Sequence, residues 1–97
     1  MNMMPVSDAA KAAIRDAMAR ELAPATIVGI EVRPDLNHYD EEILWIEVLL
    51  ENDKPQIPGR KLMSASLEAQ NALAANDDTR FAVIDYLSAS DVDEPVG

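Results

Sequence analysis

The densest group of side chains able to do chemistry is Asp35, Asn37, His38, Asp40, Glu41 and Glu42, packed into eight consecutive positions. Carboxylate and amide oxygens are hard ligands, and Asp35-Leu36-Asn37 begins as a calcium loop begins. The spacing then departs from that pattern. Tyr39 stands where a third oxygen is needed, Asp40 where the tight turn needs Gly, and Ile46 where a bidentate Glu closes the site. No metal site is expected. His38 is the single histidine, and Asp40 beside it could orient it as a general base. Such a base also needs a nucleophile and a pocket. The serines at 7, 64, 66, 88 and 90 lie in no Gly-rich elbow, so no catalytic residue is assigned. A small enzyme using His38 and the adjacent carboxylates stands as an alternative. With three glycines, Gly29, Gly59 and Gly97, there is no Gly-rich phosphate loop; no cofactor is expected. The absence of Cys excludes disulfides, thiolate metal sites and thiol nucleophiles.

These residues lie between two apolar runs, Ile27 to Val32 and Ile43 to Leu50, which together read as a β-hairpin with a long acidic loop from Arg33 to Glu42. In the first strand, about Thr26 to Arg33, Val28, Ile30 and Val32 share one face by alternation; Ile27, Gly29, Glu31 and Arg33 share the other. Pro34, which cannot donate a ladder hydrogen bond, is expected to close the strand. In the second strand Leu44, Ile46, Val48 and Leu50 form the core face, and Ile43, Trp45, Glu47 and Leu49 the opposite one.

Two helices flank the hairpin. Ser7 is a good N-cap, with Asp8 in the first turn, where the helix dipole favours negative charge. Ala10, Ile14, Ala17, Met18 and Leu22 fall on one side of the wheel. Pro24 ends this helix by pushing Ala23 out of the helical region. After a loop from Glu51 to Gly59, a second helix runs about Pro58 to Asn76. Its broad apolar side carries Leu62, Met63, Ser66, Leu67, Ala69, Gln70 and Leu73. Ser66 and Gln70 are expected at the margin of the core, bonding to nearby backbone. A last strand follows, about Arg80 to Leu87. Both its faces are partly apolar, which leaves its inward face open. The fold class is α+β, in the order α-β-β-α-β, two helices packed on a three-stranded sheet. The crossover through the second helix should leave the second and third strands parallel. The chain is organised as a flexible N-terminus over 1–6, one domain over 7–87, and an acidic flexible tail over 88–97.

Length and charge bound the rest. Ninety-seven residues make one domain, able to bury a modest core. Eighteen acidic residues against eight basic ones give a formal charge of −10. Such a surface repels phosphate backbones and anionic membranes, so neither nucleic acid nor membrane is an expected partner. No apolar run approaches the roughly 20 residues of a membrane span. Met1 to Pro5 has no basic residue and no long apolar stretch, unlike a signal peptide. A cytoplasmic protein is expected.

One surface stands out for function. Each helix has one apolar stripe, and together they can cover one sheet face. Ile27, Ile43, Trp45 and Leu49 fall on the other face, where a contiguous apolar patch signals association. A homodimer or a constitutive protein partner is expected there, the partner being a basic protein such as a toxin. Glu47, amid this face, is expected to pair with Arg33 or Arg80 or to sit at the rim.

The stretch Ile27-Val28-Gly29-Ile30-Glu31-Val32-Arg33-Pro34-Asp35-Leu36 resembles the first strand and turn of ribosome-binding factor A. The element order is similar over about Ser7 to Asp85. The resemblance implies a type II KH-like fold and a role as an RNA- or ribosome-associated accessory factor. The chain departs from that family in three places: Tyr39 to Glu42 lengthens the hairpin, the second helix lacks the Ala-x-Gly kink, and the basic surface is replaced by an acidic one. No site residue is carried over. In composition the chain also resembles small acidic bacterial proteins.

Overall fold

A computed structural model describes residues 4–51 and 57–88. Helix α1 spans Asp8–Leu22, strands β1 and β2 span Ile27–Leu36 and Glu42–Leu50, helix α2 spans Gly59–Ala75, and strand β3 spans Phe81–Ser88. The order α-β-β-α-β and the α+β class are those expected. The sheet order is β1-β2-β3. β2 is therefore central, antiparallel to β1 and parallel to β3.

Local chemistry sets the ends of the elements. The Ser7 hydroxyl accepts the Ala10 amide at 3.1 Å, capping α1. Lys61 Nζ donates to the Ala23 carbonyl, tying the start of α2 to the end of α1. β1 runs on through Pro34 to Leu36 instead of ending before the proline. An edge strand tolerates proline, because one of its sides makes no ladder bonds.

Both helices lie on one face of the sheet. Ile14, Met18 and Leu22 of α1, Ala65, Ala69 and Leu73 of α2, and Leu44, Ile46 and Val48 of β2 form one buried cluster. Small residues at the facing helix positions let α1 and α2 approach each other, and Arg20 of α1 reaches Glu68 of α2 at 3.8 Å across their outer rim. The register settles which way β3 faces. Ala82, Ile84 and Tyr86 stand beside Leu44, Ile46 and Val48 and pack against the core.

Two sequence expectations change. The alternation of β1 placed Val28 on the core face and Ile27 opposite. The ladder slips between Ile27 and Gly29, and this bulge inverts the strand's start. Ile27 packs against the core, while Val28 is 56% exposed. In α2 the seam facing the core is Ala65, Ala69 and Leu73. Met63 and Leu67, grouped with the core side by the wheel, are 75% and 60% exposed.

The domain begins before Ser7, since Val6 is buried in the core. Ser88, assigned to the tail, closes β3 and is buried. The expectations for residues 1–3, for the loop over 52–56 and for the tail over 89–97 lie outside the described residues.

The bulge is testable by unfolding in urea. Ile27→Ala is expected to cost about 1–2 kcal/mol, and Val28→Ala less than about 0.5 kcal/mol. The opposite ranking would restore the unbroken alternation.

Candidate functional site

The hairpin loop is short and closes on itself. Asn37 donates its amide to the Glu41 carbonyl, and Asp40 donates to the Asn37 carbonyl. Asp40 adopts φ 61°. This is a tight turn closed by a residue in the left-handed region, which Asp tolerates better than most. Asn37 spends its side chain here. Its Oδ1 accepts from the amides of Tyr39 and Glu41 at 2.8 and 2.9 Å, and its Nδ2 donates to Glu41 Oε1 at 2.9 Å. Asp35 accepts from the amide of Leu36. His38 is exposed at the tip. Among the described residues no three acidic or histidine side chains come together as a metal-holding group. The loop's polar atoms serve the turn.

Beside this hairpin lies a cluster that sequence reasoning missed. Arg80 engages all five of its guanidinium N–H groups. Nε and one Nη donate to the two oxygens of Asp78 at 2.9 and 2.7 Å. The other donors reach Glu42 at 3.2 Å and the backbone carbonyls of Met4 and Pro5. One side chain thereby ties the N-terminal segment, the start of β2 and the α2–β3 turn together. The Arg80 guanidinium holds the Asp78 carboxyl below its ordinary 3.8, and Asp78 in turn raises Arg80. The Asp78-Thr79-Arg80 sequence carried a signal for this, because Asp two residues before a backbone N–H forms a local turn. Arg80 also lines an open cleft of about 410 Å³ with Asn37, Glu41, Ile43 and Phe81. With every donor used, Arg80 has none to offer an anion there.

Gln70 plays a similar part. Its Nε2 donates to the Arg80 carbonyl at 2.8 Å, and its Oε1 accepts the Ala82 amide at 2.9 Å. It pairs with the start of β3 as a strand residue would. Ser66 donates back to the Leu62 carbonyl at 3.0 Å. Both fulfil the expectation of core-margin residues bonded to backbone.

The helix-free face of the sheet is the remaining candidate. Its residues align in cross-strand rows, Gly29–Leu49–Leu87, Glu31–Glu47–Asp85, Arg33–Trp45–Val83 and Asp35–Ile43–Phe81. Three of the four residues singled out from the sequence, Ile43, Trp45 and Leu49, share this face. Ile27 does not; the bulge carries it to the helix side. Ile43 is only 8% exposed within its own chain, whereas Phe81 beside it is 66% exposed.

The charges on this face are organised around Trp45. The Arg33 guanidinium lies 5.9 Å from the ring centroid, within cation–π range, and pairs with Glu31. The indole N–H donates to Glu47 Oε2 at 3.4 Å. Glu47 therefore pairs with neither Arg33 nor Arg80. The notable feature is the row Glu31–Glu47–Asp85, three acidic residues in register on neighbouring strands roughly 4.8 Å apart. Like charges directly opposite each other destabilise a sheet, and Arg33 offsets one of the three. Chemically the face offers an indole, flanking aliphatic side chains and a strip of negative charge.

No protein-family model, curated protein or solved structure matches this chain.

The Asp78–Arg80 pair makes stability depend on pH. A carboxyl whose folded-state pKa is depressed stabilises the fold above its unfolded value. That contribution is lost as pH falls through the folded-state value. Asp78→Asn is expected to cost about 1.5–3 kcal/mol at neutral pH, the range for a hydrogen bond to a charged group. The difference from wild type should vanish in strong acid. A difference that persists unchanged at a pH acid enough to protonate the folded-state Asp78 carboxyl would assign the loss to packing instead.

Proposed function

We propose that this protein is a non-enzymatic binding module of the cytoplasm, and that it docks a basic protein segment on the helix-free face of its sheet. The observation that carries the reading is the Glu31–Glu47–Asp85 row, set between the apolar rows of Trp45 and Leu49. An Arg or Lys side chain laid along that row meets three carboxylates and relieves their mutual repulsion. Its aliphatic stem and neighbouring apolar residues cover Trp45, Val83, Leu49 and Leu87. Trp is the residue type most enriched among interface hot spots, and buried charge pairs give specificity and fast encounter. The excess of acidic residues, 18 against 8, steers a basic partner from a distance.

A second copy fits this face less well. Stacking two such faces brings two carboxylate rows together, and Arg33 is already committed to Glu31 and Trp45. The RNA-associated role implied by the resemblance to ribosome-binding factor A would require cations where this face presents carboxylates.

Affinity capture from the cells of origin tests the reading, with wild type beside Glu47→Arg and Trp45→Ala and with circular dichroism to confirm folding. Wild type is expected to retain a basic protein that elutes as salt is raised. Each variant should retain it at least about tenfold less, as expected when a desolvated charge or a hot-spot aromatic is lost. Ribosomal RNA fragments should show no electrophoretic shift at ~150 mM salt. A partner held equally by all three proteins, or a micromolar RNA shift, would overturn the proposal.

A further inference from the structure

The helix-free face changes character along the strands in even steps. Leu49 and Leu87 stand in one row, the acidic residues Glu31, Glu47 and Asp85 in the next, and Trp45 and Val83 in the one after. Consecutive rows lie two residues apart on each strand, about 6.7 Å. On one side of an α-helix, residues i and i+4 stand about 6 Å apart along the axis. Three strands span roughly 10 Å from β1 to β3, the width of one helix. Among the described residues no helix covers this face, since α1 and α2 both pack on the other.

The first of these rows has a gap. Gly29 of β1 stands opposite Leu49, and a Cβ added there would meet nothing within 4 Å among the described residues. Its φ is not positive, so the adjoining bulge does not call for glycine, as a bulge with a left-handed first residue does. Glycine weakens a strand, because it has no side chain to pack and more freedom to lose. Neither the backbone nor the packing of the described residues asks for it here. The other use of glycine in a strand is to let a second molecule approach the backbone closely. The gap opens beside the half-buried Leu49, with the half-buried Leu87 across β2 in the same row. Its walls suit an apolar side chain.

We propose that the basic segment docked on this face is an amphipathic helix lying along β2, with a Lys or Arg over the Glu31–Glu47–Asp85 row and a large apolar side chain, one turn away, seated in the gap at Gly29 against Leu49. This rests on the docking reading of the same face and gives that partner its shape and spacing. One turn beyond the cation on the other side, a second apolar residue covers Trp45 and Val83. An extended segment matches the rows with every second residue, but on a face, unlike at an edge, it gains no ladder hydrogen bonds. Its N–H and C=O groups would lose water without replacement, whereas a helix satisfies its own. The acidic row selects a cation at the middle position, and the net charge of −10 draws it in.

Two synthetic peptides of equal charge, capped at both ends and free of Trp and Tyr, are the probes. One sets Leu, Arg and Leu at i, i+4 and i+8 among alanines, which favour helix. The other sets the same three at i, i+2 and i+4 among threonines, which favour extended chain. Trp45 is the single tryptophan, so its emission reports cover of this face. The alanine peptide is expected to shift that emission to the blue with saturation, and to bind at least about tenfold tighter than the threonine peptide, the effect of one seated apolar side chain. Glu47→Arg should lose it. Gly29→Ala and Gly29→Val add carbon where nothing stands, so both should keep the wild-type circular dichroism and an equal or higher urea midpoint. Val should nevertheless weaken the alanine peptide at least about tenfold, and Ala by less. A glycine serving only the fold would move stability and leave affinity alone. Equal binding to wild type and Gly29→Val would overturn the inference. So would a threonine peptide that binds as tightly as the alanine one, or two peptides that leave Trp45 emission unmoved at ~1 mM, the weak end of binding. The docking reading is judged apart from these, by capture: a basic protein that Glu47→Arg loses and Gly29→Val keeps would sustain that reading and sink this one.

Discussion

The structure depends on a central strand that is apolar on both sides. β2 presents Leu44, Ile46 and Val48 to one face and Ile43, Trp45 and Leu49 to the other. Burying a large aliphatic side chain is worth roughly 1.5–3 kcal/mol, so each face favours cover. The described residues form two helices with one apolar stripe each, and both are used on the first face. Alanines at their junction let them sit close enough to share it. On the second face Ile43 is buried within the chain, while Trp45 is held between Arg33 and Glu47.

Placing β2 in the middle also determines what the edges become. β1 enters the hairpin and carries the proline, the bulge and alternating charge. β3 arrives by way of α2, whose side chains reach down to it. Gln70 extends the hydrogen-bond ladder at one end of β3, and the Tyr86 hydroxyl ties its middle to α2. Among the described residues no further strand lies beyond β3. Two surfaces of different character result, a face with an acidic row beside an indole and an edge beneath the exposed Met63 and Leu67 of α2.

Acidic residues outnumber basic ones, and three of the described arginines are committed within the fold. Arg80 gives all five donors to the N-terminal segment, Glu42 and Asp78. Arg33 is held by Glu31 and Trp45, and Arg20 by Glu21 and Glu68. A guanidinium with a rigid fork suits the joining role of Arg80 better than an ammonium could. The joint lies far apart in sequence, between residues 4, 42 and 80, and closes one end of the domain.

The sequence by itself determined the element order, the element limits to within a few residues, and the inward face of β2. Those follow from local rules: hydrophobic period, Ser7 as a cap, prolines as breakers. It also placed Ile43, Trp45 and Leu49 on one face, because alternation holds through an unbroken strand. What it could not decide depended on partners distant in the chain. The bulge that exchanges Ile27 for Val28 arises in pairing with Leu49 and Leu50, and no residue of β1 announces it. The exposure of Met63 and Leu67 reflects how α2 rolls its alanine seam toward α1 and the sheet; on a wheel, large apolar residues outweigh alanines, whereas in close packing small ones win the interior. The inward face of β3 had no answer in its own pattern, since both faces are apolar, and it was settled by register with β2. The five-donor role of Arg80 needs Met4, Pro5 and Glu42 brought to it from distant parts of the chain, and the acidic row exists only once three strands lie side by side, because its neighbours are 16 and 38 positions apart in the chain.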